Sequence, residues 1–196
     1  MNQDQPPRSF RLNTFLHVLM VLVLIAYPLA VNFGLKKWGV EILAPLLIAV
    51  FLLRLLTFRG KLSQLTALGK SIAITGLLLA AASGLLHETQ MLLYYPVAVN
   101  GLLLLLFGYS LFSSPPIIER LARLTEPDLS PQGVRYTRRV TQVWCLFFIF
   151  NGGVALYTCL KGNLALWTFY NGGVSYLLIG LLMGIEWIVR KRVRKT

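Results

Sequence analysis

Six stretches of about twenty mostly apolar residues follow one another along the chain and nearly exhaust it: Leu12 to Phe33, Gly39 to Phe58, Leu65 to Leu86, Met91 to Phe112, Thr141 to Leu160 and Leu164 to Val189. A helix needs about 20 such residues to cross the hydrocarbon core of a bilayer. In that core every backbone N–H and C=O must find its partner inside the protein, which favours helices for segments of this length. The pattern predicts an all-α, polytopic membrane helical bundle of six transmembrane helices, formed as a single integral membrane domain over residues 1–196. Composition points the same way, with 56% apolar and 13% charged residues, against roughly 45–50% and about 25% in soluble domains. Mean hydropathy is +0.67. This balance excludes a disordered chain, a disulfide scaffold and a cytosolic enzyme of ordinary composition.

Arg8 and Arg11 precede the first apolar run, as in a secretory leader. The run is long for a leader, no small-x-small cleavage site follows it, and five more apolar segments come after. It is expected to stay as a span.

The net charge of +12 comes from 19 Lys and Arg against 7 Asp and Glu. With the N-terminus placed in the cytoplasm, only Lys36, Lys37 and Lys161 fall on outer loops, so 19 minus 3 leaves sixteen basic residues inside. Positive residues concentrate on the cytoplasmic side of membrane proteins, so both termini are expected to be cytoplasmic. Trp38 and Trp167 then fall at outer interfaces and Trp144 and Trp187 near inner ones, where amphipathic rings prefer to sit. The basic balance is thereby an orientation signal, and no nucleic-acid partner is expected.

Cys145 and Cys159 lie on one predicted span, and fourteen residues at about 1.5 Å each set them roughly 21 Å apart, beyond disulfide reach. With two histidines and no ligand-type spacing, neither a metal site nor a cofactor is expected. The ionisable residues sit mostly near span ends: Glu41 close to an outer end, Arg54 placed to reach inward, and Glu186 one turn from Arg190. No carboxylate falls near a midplane, where proton-driven pumps carry one.

The one long connection, residues 113–140, is expected to be cytoplasmic. Ser114 is placed to cap a helix there and Pro115 suits its first position. Ile117, Ile118, Leu121 and Leu124 recur on one stripe, predicting one amphipathic interfacial helix between spans four and five, lying in the headgroup region and ended by Pro127 and Pro131. Arg120, Arg123, Arg135, Arg138 and Arg139 either follow the orientation rule alone or form a docking surface for an acidic partner or anionic lipid. Lys161-Gly162-Asn163 is tight enough to make the last two spans an antiparallel hairpin.

Small residues recur every four positions at Gly76, Ala80 and Gly84 and at Gly180 and Gly184, a spacing that lets helices approach closely in lipid. Asn100 and Asn151 fall near the midpoints of their spans and Asn171 lies further outward, each followed by glycine. An amide in hydrocarbon needs partners. Bonds between helices would supply them, and a polar pocket is the alternative. The repeats Tyr27-Pro28-Leu29-Ala30-Val31-Asn32 and Tyr95-Pro96-Val97-Ala98-Val99-Asn100 lie at opposite ends of their spans, which argues against inverted transporter repeats.

The run Ser114-Pro115-Pro116-Ile117-Ile118-Glu119-Arg120-Leu121-Ala122-Arg123-Leu124, with Glu126-Pro127-Asp128-Leu129 and Tyr136-Thr137-Arg138-Arg139-Val140-Thr141-Gln142-Val143-Trp144-Cys145, resembles an uncharacterised family of bacterial inner-membrane proteins. The resemblance extends through Phe150-Asn151-Gly152, Trp167, Tyr170-Asn171-Gly172 and Glu186. That family is associated with aryl-polyene and related fatty-acid-like biosynthesis clusters, near acyl carrier proteins, ketosynthases and lipid exporters. The resemblance implies a pathway rather than an activity. Two readings follow: a non-enzymatic inner-membrane component, in contact with membrane lipids, that anchors or organises an aryl-polyene-type lipid assembly or export pathway and docks an acidic acyl carrier protein or another pathway protein; or a small permease or flippase using the asparagines, working as a homo-oligomer because six spans enclose little. An intramembrane acyltransferase ranks third, since no Ser-His or His-carboxylate pair shares a depth.

Overall fold

The computed structural model describes residues 26–57 and 63–193, and among them every regular element is helical. Among the described residues five helices are long and apolar enough to cross a membrane, the architecture of a multi-pass membrane protein. Packing divides the chain into two compact units, Met1–Thr89 and Gln90–Thr196.

Unit one holds α1 (Tyr27–Thr57) and α2 (Ser63–Leu86). α1 breaks at Gly39, whose φ of 72° and ψ of −179° lie in a region that only glycine occupies cheaply. The ring centroids of Tyr27 and Phe51 are 6.3 Å apart, whereas 24 residues of straight helix would separate them by about 36 Å. The chain therefore turns back at Gly39, and Gly34 has no side chain where Leu43 packs. Residues 27–33 belong to the end of the expected first span, Leu12 to Phe33, and residues 12–25 of that span lie outside the described residues. The turn falls where the loop between spans one and two is expected. Lys37 Nζ sits 5.4 Å from the Phe33 ring centre and 5.6 Å from that of Trp38, an arrangement suited to a headgroup interface.

α2 lies antiparallel to the 40–57 arm along its small residues. Phe51 occupies the space a side chain at Gly76 would need, and a Cβ at Gly84 would come within 3.2 Å of that of Ala44. The expected close approach at Gly76, Ala80 and Gly84 is realised. At Gly180 and Gly184 it is not, since a Cβ there would meet no atom of unit two within 4 Å.

Unit two runs through α3 (Gln90–Leu93), α4 (Tyr95–Phe112), α5 (Ile117–Ala122), α6 (Pro131–Leu160), α7 (Leu164–Phe169), a π-helical turn over Tyr170–Val174, and α8 (Ser175–Val193). α4 and α6 pack antiparallel, with Asn100 against Gly152 at one level and Phe107 against Phe148 at another, the two rings meeting edge to face at 5.1 Å. Gly162, at φ 65°, closes the turn between α6 and α7, and Asn163 caps α7 by accepting the Leu166 N–H at 3.0 Å. The predicted final hairpin is present.

The connector departs from expectation. Helix α5 starts at Ile117 after Pro116, with no side-chain cap from Ser114. Its stripe is divided: Ile117 is fully buried, Ile118 and Leu121 are half-buried along the wall of a cavity, and Leu124 lies past the helix end, 54% exposed. The cause is a better site on α4, where the Ile117 N–H reaches Ser110 Oγ at 3.1 Å and Ile117 leaves water entirely. Pro131 begins a helix rather than ending one. Ser130 caps α6 by accepting the Gly133 N–H at 3.1 Å, and Pro131 occupies the first turn, where its missing N–H costs nothing. Arg135, Arg138 and Arg139 are consequently helical.

Candidate functional site

The three asparagines separate into two buried clusters. Asn151 Nδ2 donates to Asn100 Oδ1 at 3.0 Å, Tyr170 Oη donates to Asn151 Oδ1 at 2.9 Å, and Asn100 Nδ2 donates to the Pro96 carbonyl at 2.8 Å. Asn171 stands apart from these. Its Nδ2 donates to Thr158 Oγ1 at 3.2 Å and to the Trp167 carbonyl at 3.0 Å, where the helix widens into the π turn. All three amides thus bond to neighbouring helices or to their own backbone. Of the glycines that follow Asn100 and Asn151, Gly152 meets a close neighbour and Gly101 faces open space.

A cavity in unit two lies elsewhere, at its arginine-rich end. Its volume is about 620 Å³, within the 300–1,000 Å³ common for small-molecule sites. Helix α6 supplies one wall through Gly133, Tyr136, Val140, Trp144 and Phe148, spaced to share a face. α8 supplies a second through Ile179, Met183, Glu186 and Arg190. Leu103 and Phe107 of α4 close the inner end, and Ile118 and Leu121 of α5 cover it from the connector side.

The polar groups of α6 and α8 gather at one end. Tyr136 Oη lies 3.1 Å from the Glu186 carbonyl oxygen and 3.3 Å from Glu186 Oε1, so its single hydroxyl proton is shared between them. Arg190 Nη2 approaches Glu186 Oε2 at 3.4 Å, the pair expected one turn apart. Tyr136 and the cavity-facing role of Trp144 were not singled out as site features from the sequence. The available signal was the four-residue recurrence of Tyr136, Val140, Trp144 and Phe148.

The five connector arginines divide. Arg123 donates through Nε and Nη2 to Glu119 Oε1 at 2.9 and 2.8 Å and through Nη1 to the Pro127 carbonyl at 2.7 Å. Arg120 donates to the carbonyls of Pro115 and Ser113 and to Ser113 Oγ. Both staple the connector to itself. Arg135, Arg138 and Arg139 are exposed along the start of α6.

Among the described residues, no group of three or more His, Cys, Asp or Glu is placed to hold a metal. Cys145 and Cys159 are free thiols on α6. No protein-family model, curated protein or solved structure matches the chain.

Proposed function

We propose that this protein is a non-enzymatic component of a bacterial inner membrane that organises an aryl-polyene-type lipid assembly or export pathway by holding an acyl-type chain in the cavity of unit two. In this reading six helices span the membrane, the 27–38 arm ends the first, and both termini face the cytoplasm. The cavity then opens at the cytoplasmic end, where Arg135, Arg138 and Arg139 face an acidic carrier protein.

The observation that carries the proposal is the cavity itself: aromatic and aliphatic walls, polar groups at one end, and a connector helix that lays Ile118 and Leu121 along it. A site so built suits an amphiphile. The aryl-polyene assignment rests on the sequence resemblance.

Purification from native-host membranes and mass analysis of retained lipids tests the reading. Stoichiometric recovery of an acyl-type molecule, lost when Val140→Trp fills the cavity, supports it. Recovery of the same lipids by the filled variant would refute it.

A flippase is the second reading, favoured by one relationship. Asn151 lies three residues beyond Phe148 and Asn100 three residues before Leu103, so the amide cluster sits roughly one helical turn past the inner end of the cavity. A headgroup moving outward from the cavity would meet those amides next.

A further inference from the structure

Resting on the reading that the cavity holds an acyl-type chain, we infer that its occupant is a single-chain amphiphile with an anionic headgroup, carboxylate or phosphate, held with the headgroup at Arg190 and the chain against Trp144 and Phe148.

Depth and volume indicate one chain. Tyr136 to Phe148 is twelve residues of α6, about 18 Å at 1.5 Å each, comparable to half of a roughly 30 Å hydrocarbon core. An acyl chain from one leaflet matches that depth. The cavity's volume of about 620 Å³ is a small-molecule volume, and a second chain would compete for the same aromatic walls.

The headgroup assignment comes from comparing two arginine–glutamate pairs of the same chain. Arg123 places two nitrogens on Glu119 at 2.9 and 2.8 Å. Arg190 reaches Glu186 through one nitrogen at 3.4 Å, and its side chain is 50% exposed. A guanidinium carries five N–H donors in a planar fork that fits carboxylate and phosphate. Arg190 is therefore weakly committed within the protein and stands at the polar end of an apolar cavity. Two carboxylates share the cavity, Glu186 with Tyr136 on one oxygen and Arg190 on the other and Glu126 on the connector wall, so an anionic headgroup binds by taking Arg190 over from its single long contact with Glu186. Exposed Arg135 and Lys191 at the same end add positive potential.

Trp144 in the wall provides the readout. Protein in lipid nanodiscs would be titrated at alkaline pH with stearate brominated in mid-chain, which quenches tryptophan on contact, and the part reversed by excess plain stearate measured. That part should vanish in Trp144→Phe. The ionised acid should bind about tenfold more tightly than its methyl ester or a trimethylammonium analogue of equal length, the worth of one charge-assisted hydrogen bond. Arg190→Gln should remove the advantage. A brominated lysophosphatidate arm separates the sources, the tighter of the two ligands naming carboxylate or phosphate. Equal binding of acid, ester and cation, or preference for the cation, overturns the headgroup inference and leaves the cavity reading standing. Preference for a brominated two-chain phosphatidate overturns the single-chain part. Absence of any reversible quenching overturns both. The ligand comparison uses the parent protein, so it holds even if Arg190→Gln does not fold.

Discussion

Asn151 donates its side-chain amide to Asn100 across 3.0 Å, and the next residue, Gly152, is what allows α4 and α6 to come so close. A Cβ at Gly152 would lie 3.0 Å from that of Asn100, tighter than carbon atoms normally pack. A larger side chain must push the helices apart, stretching the amide bond and the Phe107–Phe148 contact further along the same interface. Gly152→Val should lower unfolding stability by about 1–3 kcal/mol, read as an earlier melting midpoint in detergent. Gly101→Val, with nothing within 4 Å of the added carbon, should change it little.

Asn151 also accepts the Tyr170 hydroxyl at 2.9 Å, so Asn151→Leu leaves two buried polar groups short of a partner. The expected cost is about 1–3 kcal/mol per stranded group. If the amides only join helices, Asn151→Leu and Asn171→Leu should melt earlier yet gain the parent's full stabilisation from extracted host lipid. A flippase path through the amides predicts a variant that folds but loses that lipid-dependent gain.

Much of this architecture was legible in the sequence because hydropathy along a segment needs no knowledge of its neighbours. The long apolar helices, the Lys161–Asn163 hairpin turn and the Glu186–Arg190 pair depend on composition and spacing alone. The connector was harder, since Ser114-Pro115 and Ser130-Pro131 offer the same cap signature, and Ser130 is the one whose hydroxyl caps a helix. The cavity was not legible. In lipid the outward faces of α6 and α8 are as apolar as the inward ones, so no polarity contrast marks which face meets a partner. Tyr136 and Glu186 come together only through packing of segments fifty residues apart.

The exposed arginines carry the docking prediction. Arg135→Glu, Arg138→Glu and Arg139→Glu together should abolish low-salt capture of a purified acidic acyl carrier protein by the membrane-reconstituted protein while leaving its melting point near the parent's. Capture by the parent should weaken as salt rises. Arg123→Glu should act differently, because it breaks the bonds to Glu119 and Pro127 and loosens the connector. Its first effect should be protease cleavage between α5 and α6. No capture by the parent even at low salt would leave these arginines as orientation signals only.

Gly39 is the hinge of the unit-one hairpin, with φ 72° and ψ −179°. A side chain there meets no atom within 4 Å, so its cost is backbone strain alone, about 1–3 kcal/mol. Gly39→Ala should destabilise by that amount. Gly34→Ala, which places a carbon 2.6 Å from a Leu43 methyl, should destabilise through packing instead, and a Leu43→Ala partner change should recover part of the loss. Additive losses in that double variant would argue against the hairpin contact.

The orientation of the whole chain reduces to where two turns lie. Lys36 and Lys37 precede the Gly39 turn, and Lys161 precedes Gly162 in the last hairpin. They are three basic residues against the sixteen expected on the other side. If charge sets the orientation, both turns face the periplasm and Thr196 the cytoplasm. A periplasm-active reporter fused after Thr196 should give no signal, and one inserted at Gly162 or Gly39 a strong one. The Gly39 insertion also tests the span count: a signal there, with a cytoplasmic N-terminus shown by protease protection, requires a complete span before residue 39. Signal at Thr196 and silence at both glycines would invert the topology and move the cavity, with Tyr136, Glu186 and Arg190, to the outer side.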